Sequence, residues 1–292
     1  MNDGAGAPNG HVRLIVALLT PLTPEGRVDA ESLAGHVRHL LGEGADGFFV
    51  CGTTGEGPLL DDDEVALATR TVAEACAGRA RVTAQVGRPG TVATVRLLRR
   101  AREAGADDVA VVAPYYYELE ESQIEAHYRA ALEAAPGTRV HAYAIPRRTG
   151  NDLDPPLVRR LAAEGLGGIK DSTRSLDRHR EYLSVAAEHR ARGFAVFMGS
   201  DALAHAGILG GSSGIVSAMA NVRPDLFVQL RAAAAAGRER EAADCQAQID
   251  ALRASLQNGS MIAGLKAAVA ARLAPLGVAY PGGVRAPLRE LP

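Results

Sequence analysis

Lys170 is one of only two lysines in a 292-residue chain whose basic residues number 32, and it ends the apolar run Gly167-Gly168-Ile169-Lys170-Asp171-Ser172. Arginine can replace lysine as a surface charge but not as a nucleophile. A guanidinium stays protonated, whereas a desolvated amine can lose its proton and attack a carbonyl. An arginine-biased chain that keeps a lysine there points to a need for an amine. Chance survival is the plain alternative.

Other polar residues stand at matching places. The ends of successive apolar runs read Thr20, Gly52-Thr53-Thr54, Gly87, Pro114-Tyr115-Tyr116-Tyr117, Tyr143, Lys170, Gly199-Ser200-Asp201 and Ser217. A lysine among phenols and threonines suits Schiff-base chemistry. The neutral amine adds to a ketone, water leaves, and the iminium acidifies the adjacent C–H, with a tyrosine moving protons. Thr53 and Thr54, with the amides of a glycine turn, can hold a small carboxylate. Burial would bring the lysine pKa down toward neutrality. The set has no His, Cys and carboxylate at metal spacing and no Ser-His-Asp order with a nucleophile elbow. No metal or dissociable cofactor is expected, because the lysine supplies the electron sink.

Neighbouring residues have plainer roles. Tyr115 and Tyr117 suit packing at a subunit contact, Glu56 an acceptor that fixes its turn, and Asp171 and Asp201 helix caps. Lys266, within Gly264-Leu265-Lys266-Ala267, reads as structural, Cys51 as buried, and the eight histidines form no constellation.

The elements that must position these residues alternate. Candidate strands are Arg13–Leu18, Gly47–Cys51, Arg81–Val86, Asp108–Val112, Arg139–Tyr143, Gly167–Lys170, Ala195–Met198 and Gly214–Ser217. Between them apolar residues recur at helical spacing, as in Leu33, Val37, Leu40 and Leu41. A joint repeats at Gly44-Ala45-Asp46 and Gly105-Ala106-Asp107, where glycine stops a helix just before a strand. Strand and helix in alternation with short joints mean a parallel sheet. Eight units over about 225 residues predict a (β/α)8 TIM barrel with additional C-terminal helices. A doubly wound sheet would want a dinucleotide-type glycine turn, which Gly52-Thr53-Thr54-Gly55-Glu56-Gly57 is not. The expected organisation is a disordered leader over 1–10, the barrel over 11–223, and a helical extension over 224–292 packed on the barrel.

Composition narrows the setting. A net charge of -2 gives no case for nucleic acid or an acidic membrane. No stretch reaches the roughly 20 apolar residues of a membrane span. Cys51, Cys76 and Cys245 are too few and scattered for a disulfide framework or zinc site, which suggests a reducing cytoplasm.

The chain also resembles a known superfamily of class I aldolases, that of dihydrodipicolinate synthase and N-acetylneuraminate lyase. The matching segments are Gly52-Thr53-Thr54-Gly55-Glu56, Pro114-Tyr115-Tyr116, Tyr143 to Gly150, Gly168-Ile169-Lys170-Asp171 and Gly214-Ile215-Val216-Ser217. The resemblance implies that Lys170 forms an imine with pyruvate or a related 2-oxo acid, with Tyr143 as general acid/base. Thr53 and Tyr116 would complete a proton relay, Tyr116 reaching in from a neighbouring subunit of a homodimer or homotetramer. Thr54 would hold the pyruvate carboxylate, with Gly52 and Val216 beside the substrate. Arg148 would receive the carboxylate of an aldehyde partner.

Some positions depart from the synthase pattern. Ala144 and Arg147 stand where the synthases carry Asn and Ser, and the segment before Lys266 looks closer to 2-oxo acid aldolases. Asp62, Pro89 and Ala93 replace the residues of the lysine feedback site, so that regulation is not expected. The resemblance thus favours a 4-hydroxy-tetrahydrodipicolinate synthase-like enzyme. The alternative is an aldolase of 2-oxo-3-deoxy sugar acids or 4-hydroxy-2-oxoglutarate. A non-catalytic paralogue that only binds 2-oxo acids is the alternative of another class.

Overall fold

The computed structural model describes residues 12–256 and 260–291. The leader expected over 1–10 lies outside the described residues. Each apolar run forms a strand: β1 (Arg13–Ala17), β2 (Gly47–Val50), β3 (Arg81–Gln85), β4 (Asp108–Val112), β5 (Arg139–Ala144), β6 (Gly168–Asp171), β7 (Ala195–Met198) and β8 (Gly214–Ser217). They pair in parallel in chain order and β8 returns to β1, which closes a TIM barrel. The expected strand bounds hold to within one residue at each end.

Eleven α-helices occur among the described residues. Those between strands are α1 (Ala30–Gly42), α2 (Asp62–Cys76), α3 (Thr91–Glu103), α4 (Glu121–Glu133), α5 (Pro146–Thr149), α6 (Pro155–Ala163), α7 (Leu176–Glu188) and α8 (Ala204–Leu209). After β8 come α9 (Pro224–Ala235), α10 (Glu239–Ser255) and α11 (Met261–Leu273). The starts obey local chemistry. The Asp29 side chain accepts from Ser32 N at α1, and Asp61 with Glu64 forms a capping box at α2.

The repeated Gly-Ala-Asp joint has a physical role. Gly44 and Gly105 take φ of +93° and +96°, which ends the preceding helix. The aspartates then tie neighbouring strands together. Leu14 N donates to Asp46 Oδ2 at 2.7 Å, and Val82 N donates to Asp107 Oδ2 at 2.8 Å.

Strand residues alternate between two cores. Val16, Phe48, Val82, Val109, Ile169, Val196 and Ile215 belong to the cluster between barrel and helices. Ile15, Phe49, Ala110, Tyr143, Phe197 and Val216 fill the barrel interior. With apolar residues on both faces, the strands read as continuous apolar runs. Tyr143 pairs in register with Lys170, and Lys170 with Phe197, so all three point to the same side.

Asn221 joins the ends of the closed sheet. Its amide donates to Ala17 O at 2.8 Å and Ala218 O at 2.9 Å, and its Oδ1 accepts from Leu19 N at 3.1 Å. All of these lie beside the barrel mouth. Asn221→Ala would strand several buried polar groups, each worth about 1–3 kcal/mol. The expected result is a lower urea midpoint with the helical far-UV signal intact at zero denaturant. An unchanged midpoint would refute this closure role.

Candidate active site

Lys170 is the penultimate residue of β6, with only 5% of its surface exposed. Its Nζ sits 3.8 Å from the centroid of Phe49 and 4.0 Å from that of Tyr143. Burial pulls the amine below its ordinary range, opposed by the negative charge that Tyr143 can carry and by a more distant Asp201. Burial alone would raise the Tyr143 phenol. The Lys170 cation and hydrogen bonds from Thr53, Lys170 and Ser172 outweigh it and hold the phenol below its ordinary value. The two groups therefore approach each other in proton affinity and titrate as a coupled pair.

Thr53 supplies the next link. Its Oγ1 lies 3.1 Å from Tyr143 Oη. It stands on the tight turn after β2, where Gly57 permits close passage: a Cβ there would come within 1.7 Å of Cys51 O. Gly52 serves packing in the same way, since a Cβ would lie 2.7 Å from the Phe49 ring that faces Lys170.

A cavity opens above the amine at the C-terminal end of the barrel. Thr53, Thr54, Tyr143, Arg148, Lys170 and Val216 all line it. Six of the expected site residues thus meet in one place. Gly52 is not among the lining residues. Tyr116 is apart within the protomer: it is 85% exposed, takes a left-handed φ of +83°, and stacks edge-on against exposed Tyr117 at 5.0 Å.

Sequence reasoning placed Arg147 near the acceptor site but missed Arg174 and Arg253. Arg147, Arg174 and Arg253 join Arg148 around the cavity. Arg174 follows the lysine segment closely and takes a left-handed φ of +66°. Arg253 arrives from α10, far along the chain, and pairs with Asp250 at 3.0 Å. Nothing local in the sequence marks it. Such a rim favours anionic ligands over neutral ones. Asp201 also lines the cavity, with Oδ1 unpartnered among the described residues and its carboxyl pushed up by burial.

Two sequence readings need correcting or sharpening. Asp171 is not a helix cap: Ser175 caps α7. Asp171 instead receives Thr173 N and lies 2.8 Å from His179 Nδ1, while His179 Nε2 lies 2.7 Å from Ser212 Oγ. That buried network fixes the loop after the lysine strand. Burial pushes the Cys51 thiol up to about 12, which leaves it unreactive. Among the described residues no group of three or more His, Cys, Asp or Glu is placed to hold a metal ion, and no helix is long and apolar enough to cross a membrane.

A closed barrel with a desolvated lysine beside a phenol at its C-terminal mouth puts the chain among TIM-barrel proteins whose site lies at that face. The chain belongs to the dihydrodipicolinate synthetase family, whose model matches residues 11–292. It is 38% identical over 243 residues to the 4-hydroxy-tetrahydrodipicolinate synthase of Methylococcus capsulatus, covering 83% of this chain and 82% of that one. Among solved structures it is similar to YagE of E. coli K12, a family member in complex with pyruvate, at 27% identity and a TM-score of 0.89, over 96% and 93% of the two chains. It is also similar to KD(P)GA from T. tenax, at 29% identity and a TM-score of 0.85, over 96% and 94%.

The lowered amine is directly testable. Trace acetylation across a pH series, read by peptide mass, should label Lys170 at lower pH than an ordinary lysine of 10.5. The neutral form is the reactive one, so a lowered pKa moves labelling to lower pH. Lys266, wholly buried, should resist labelling. A Lys170 profile at or above the ordinary position would contradict its desolvation.

Proposed function

We infer that the protein is a class I lyase that makes or breaks a carbon–carbon bond next to a pyruvate imine. The Lys170 nitrogen attacks the keto carbon of pyruvate or another 2-oxo acid, and the carbonyl oxygen leaves as water. The iminium draws electrons from the adjacent carbon, whose proton passes to a base and leaves an enamine. Tyr143, within 3.1 Å of Thr53, is the group in reach to move protons in these steps. The enamine carbon bonds to an aldehyde carbon, whose oxygen takes up a proton; cleavage is the reverse. Water then returns to the imine carbon and frees the amine. The observation that carries this reading is the buried Lys170 Nζ facing an arginine-rimmed cavity beside the Tyr143–Thr53 pair.

The favoured substrates are pyruvate and aspartate semialdehyde, giving a 4-hydroxy-tetrahydrodipicolinate synthase-like reaction. The intact Arg148-Thr149-Gly150 and the name of the M. capsulatus relative support this. Cleavage of 2-oxo-3-deoxy sugar acids is the second reading. The added Arg147, Arg174 and Arg253 and the likeness to KD(P)GA favour it. Thr54 would bind the 2-oxo acid carboxylate and Arg148 the acidic end of the second substrate. Exposed Tyr116, held in an unfavourable backbone conformation, suits insertion into a second copy, so a homodimer or homotetramer is expected.

Borohydride with pyruvate should add mass to Lys170 and to no other residue. An intact protein that gains no adduct would favour a non-catalytic binder. Condensation with aspartate semialdehyde and cleavage of a 2-oxo-3-deoxy acid panel then separate the two substrate readings. Arg148→Ala should cut turnover of acidic aldehydes about 10- to 100-fold, the value of a charged hydrogen bond. Imine formation should persist. Loss of imine formation as well would place Arg148 in the core machinery instead.

A further inference from the structure

The second lysine of the chain is also buried, and it reaches the active-site turn. Lys266 of α11 is 0% exposed, and its Nζ lies 2.5 Å from Glu56 Oε1. Its well-aligned hydrogen bond goes to Gly283 O at 2.7 Å. The other oxygen, Glu56 Oε2, accepts from Arg285 N at 2.6 Å. The Arg285 guanidinium continues to Glu64 of α2 at 2.5 Å. Glu56 thus ties the helix α11, the tail around 283–285 and the turn after β2 together.

That turn holds Thr53 and Thr54, and it is strained. Cys51 and Glu56 both carry side chains at left-handed φ, of +54° and +59°. Such conformations persist only where surrounding contacts over-determine them. Glu56 N donates to Thr53 O at 3.3 Å, Gly57 N to Gly52 O at 3.0 Å and Leu59 N to Glu56 O at 2.8 Å, while Thr20 Oγ1 donates to Gly55 O and Arg88 Nη1 to Gly57 O, both at 2.8 Å. The buried carboxylate of Glu56 supplies an anchor from outside. Three residues before it, Thr53 must stay 3.1 Å from Tyr143 Oη.

We propose that Lys266 and Glu56 are positioning residues for catalysis: the C-terminal helix and tail clamp the Thr53–Thr54 turn through this ion pair and so set the Thr53–Tyr143 contact. The inference rests on the imine chemistry proposed above. Lys266 does not itself line the cavity and reaches the turn through Glu56. A lysine suits the place because its compact ammonium can reach a carboxylate and a carbonyl within one closed site. Removing it leaves a buried carboxylate without its cation, which the turn relieves by moving. Thr53 moves with it.

The test compares the rate of borohydride-trapped pyruvate imine in the full-length protein with Lys266→Met, Thr53→Val and both together. Lys266→Met alone should slow imine formation about 10- to 100-fold. Added to Thr53→Val, it should slow it less than about threefold further, because both act through one contact. Equal factors in the two backgrounds would mean that Lys266 is merely structural, and the proposal would fall. So would trapping at the wild-type rate in Lys266→Met. If circular dichroism shows that Lys266→Met does not fold, the charge-free pair Glu56→Gln with Lys266→Met takes its place, judged by the same comparison. Wild-type protein that traps no pyruvate would instead overturn the imine reading, and this inference with it.

Discussion

The site depends on keeping an amine out of water. At 5% exposure, the Lys170 ammonium has lost most of its hydration, and the aromatic faces of Phe49 and Tyr143 return only part of it. Desolvation wins, and the amine becomes easier to deprotonate. The proton has a nearby alternative on Tyr143, whose phenol the same cation makes more acidic. Each group therefore tunes the other. Deleting either would change both the charge and the proton affinity of the one that remains.

The barrel makes this pairing possible by register. Tyr143 and Lys170 are direct partners across β5 and β6, and both face inward because their strands are in phase. A one-residue slip would turn Lys170 toward the helices and bring Ile169 or Asp171 inside. The aspartates at the strand starts and Asn221 at the β8–β1 seam resist that slip. They lie at opposite ends of the strands, so the register is pinned at both.

Much of this was legible in the sequence, for local reasons. Doubly buried strands announce themselves as apolar runs, and glycine joints mark where helices stop, so all eight strands were placed within a residue. Lys170 stands out because arginine supplies nearly every other cation of the chain. The Gly-Ala-Asp repeat was visible, but its hydrogen bonds to the neighbouring strand were not. Arg253 and the Glu56–Lys266 pair were hidden, since contacts across such separations leave no local pattern. Tyr116 is a different case. Within one protomer it stands exposed and apart from the cavity, so its neighbours along the chain do not tie it to the site.

The two lysines also explain each other. In this chain arginine serves nearly every exposed ion pair, such as Arg159 with Glu188 and Arg129 with Glu164. Both surviving lysines are buried, one against aromatic rings and one against a carboxylate. At Lys170 the requirement is an amine that can be neutral. At Lys266 it is a compact cation that fits between Glu56 and Gly283 in a fully buried place. A guanidinium meets neither demand: it cannot give up its proton, and its planar fork needs more room and more acceptors than this pocket offers. The chain therefore carries lysine only at the two positions where physical chemistry separates the two side chains.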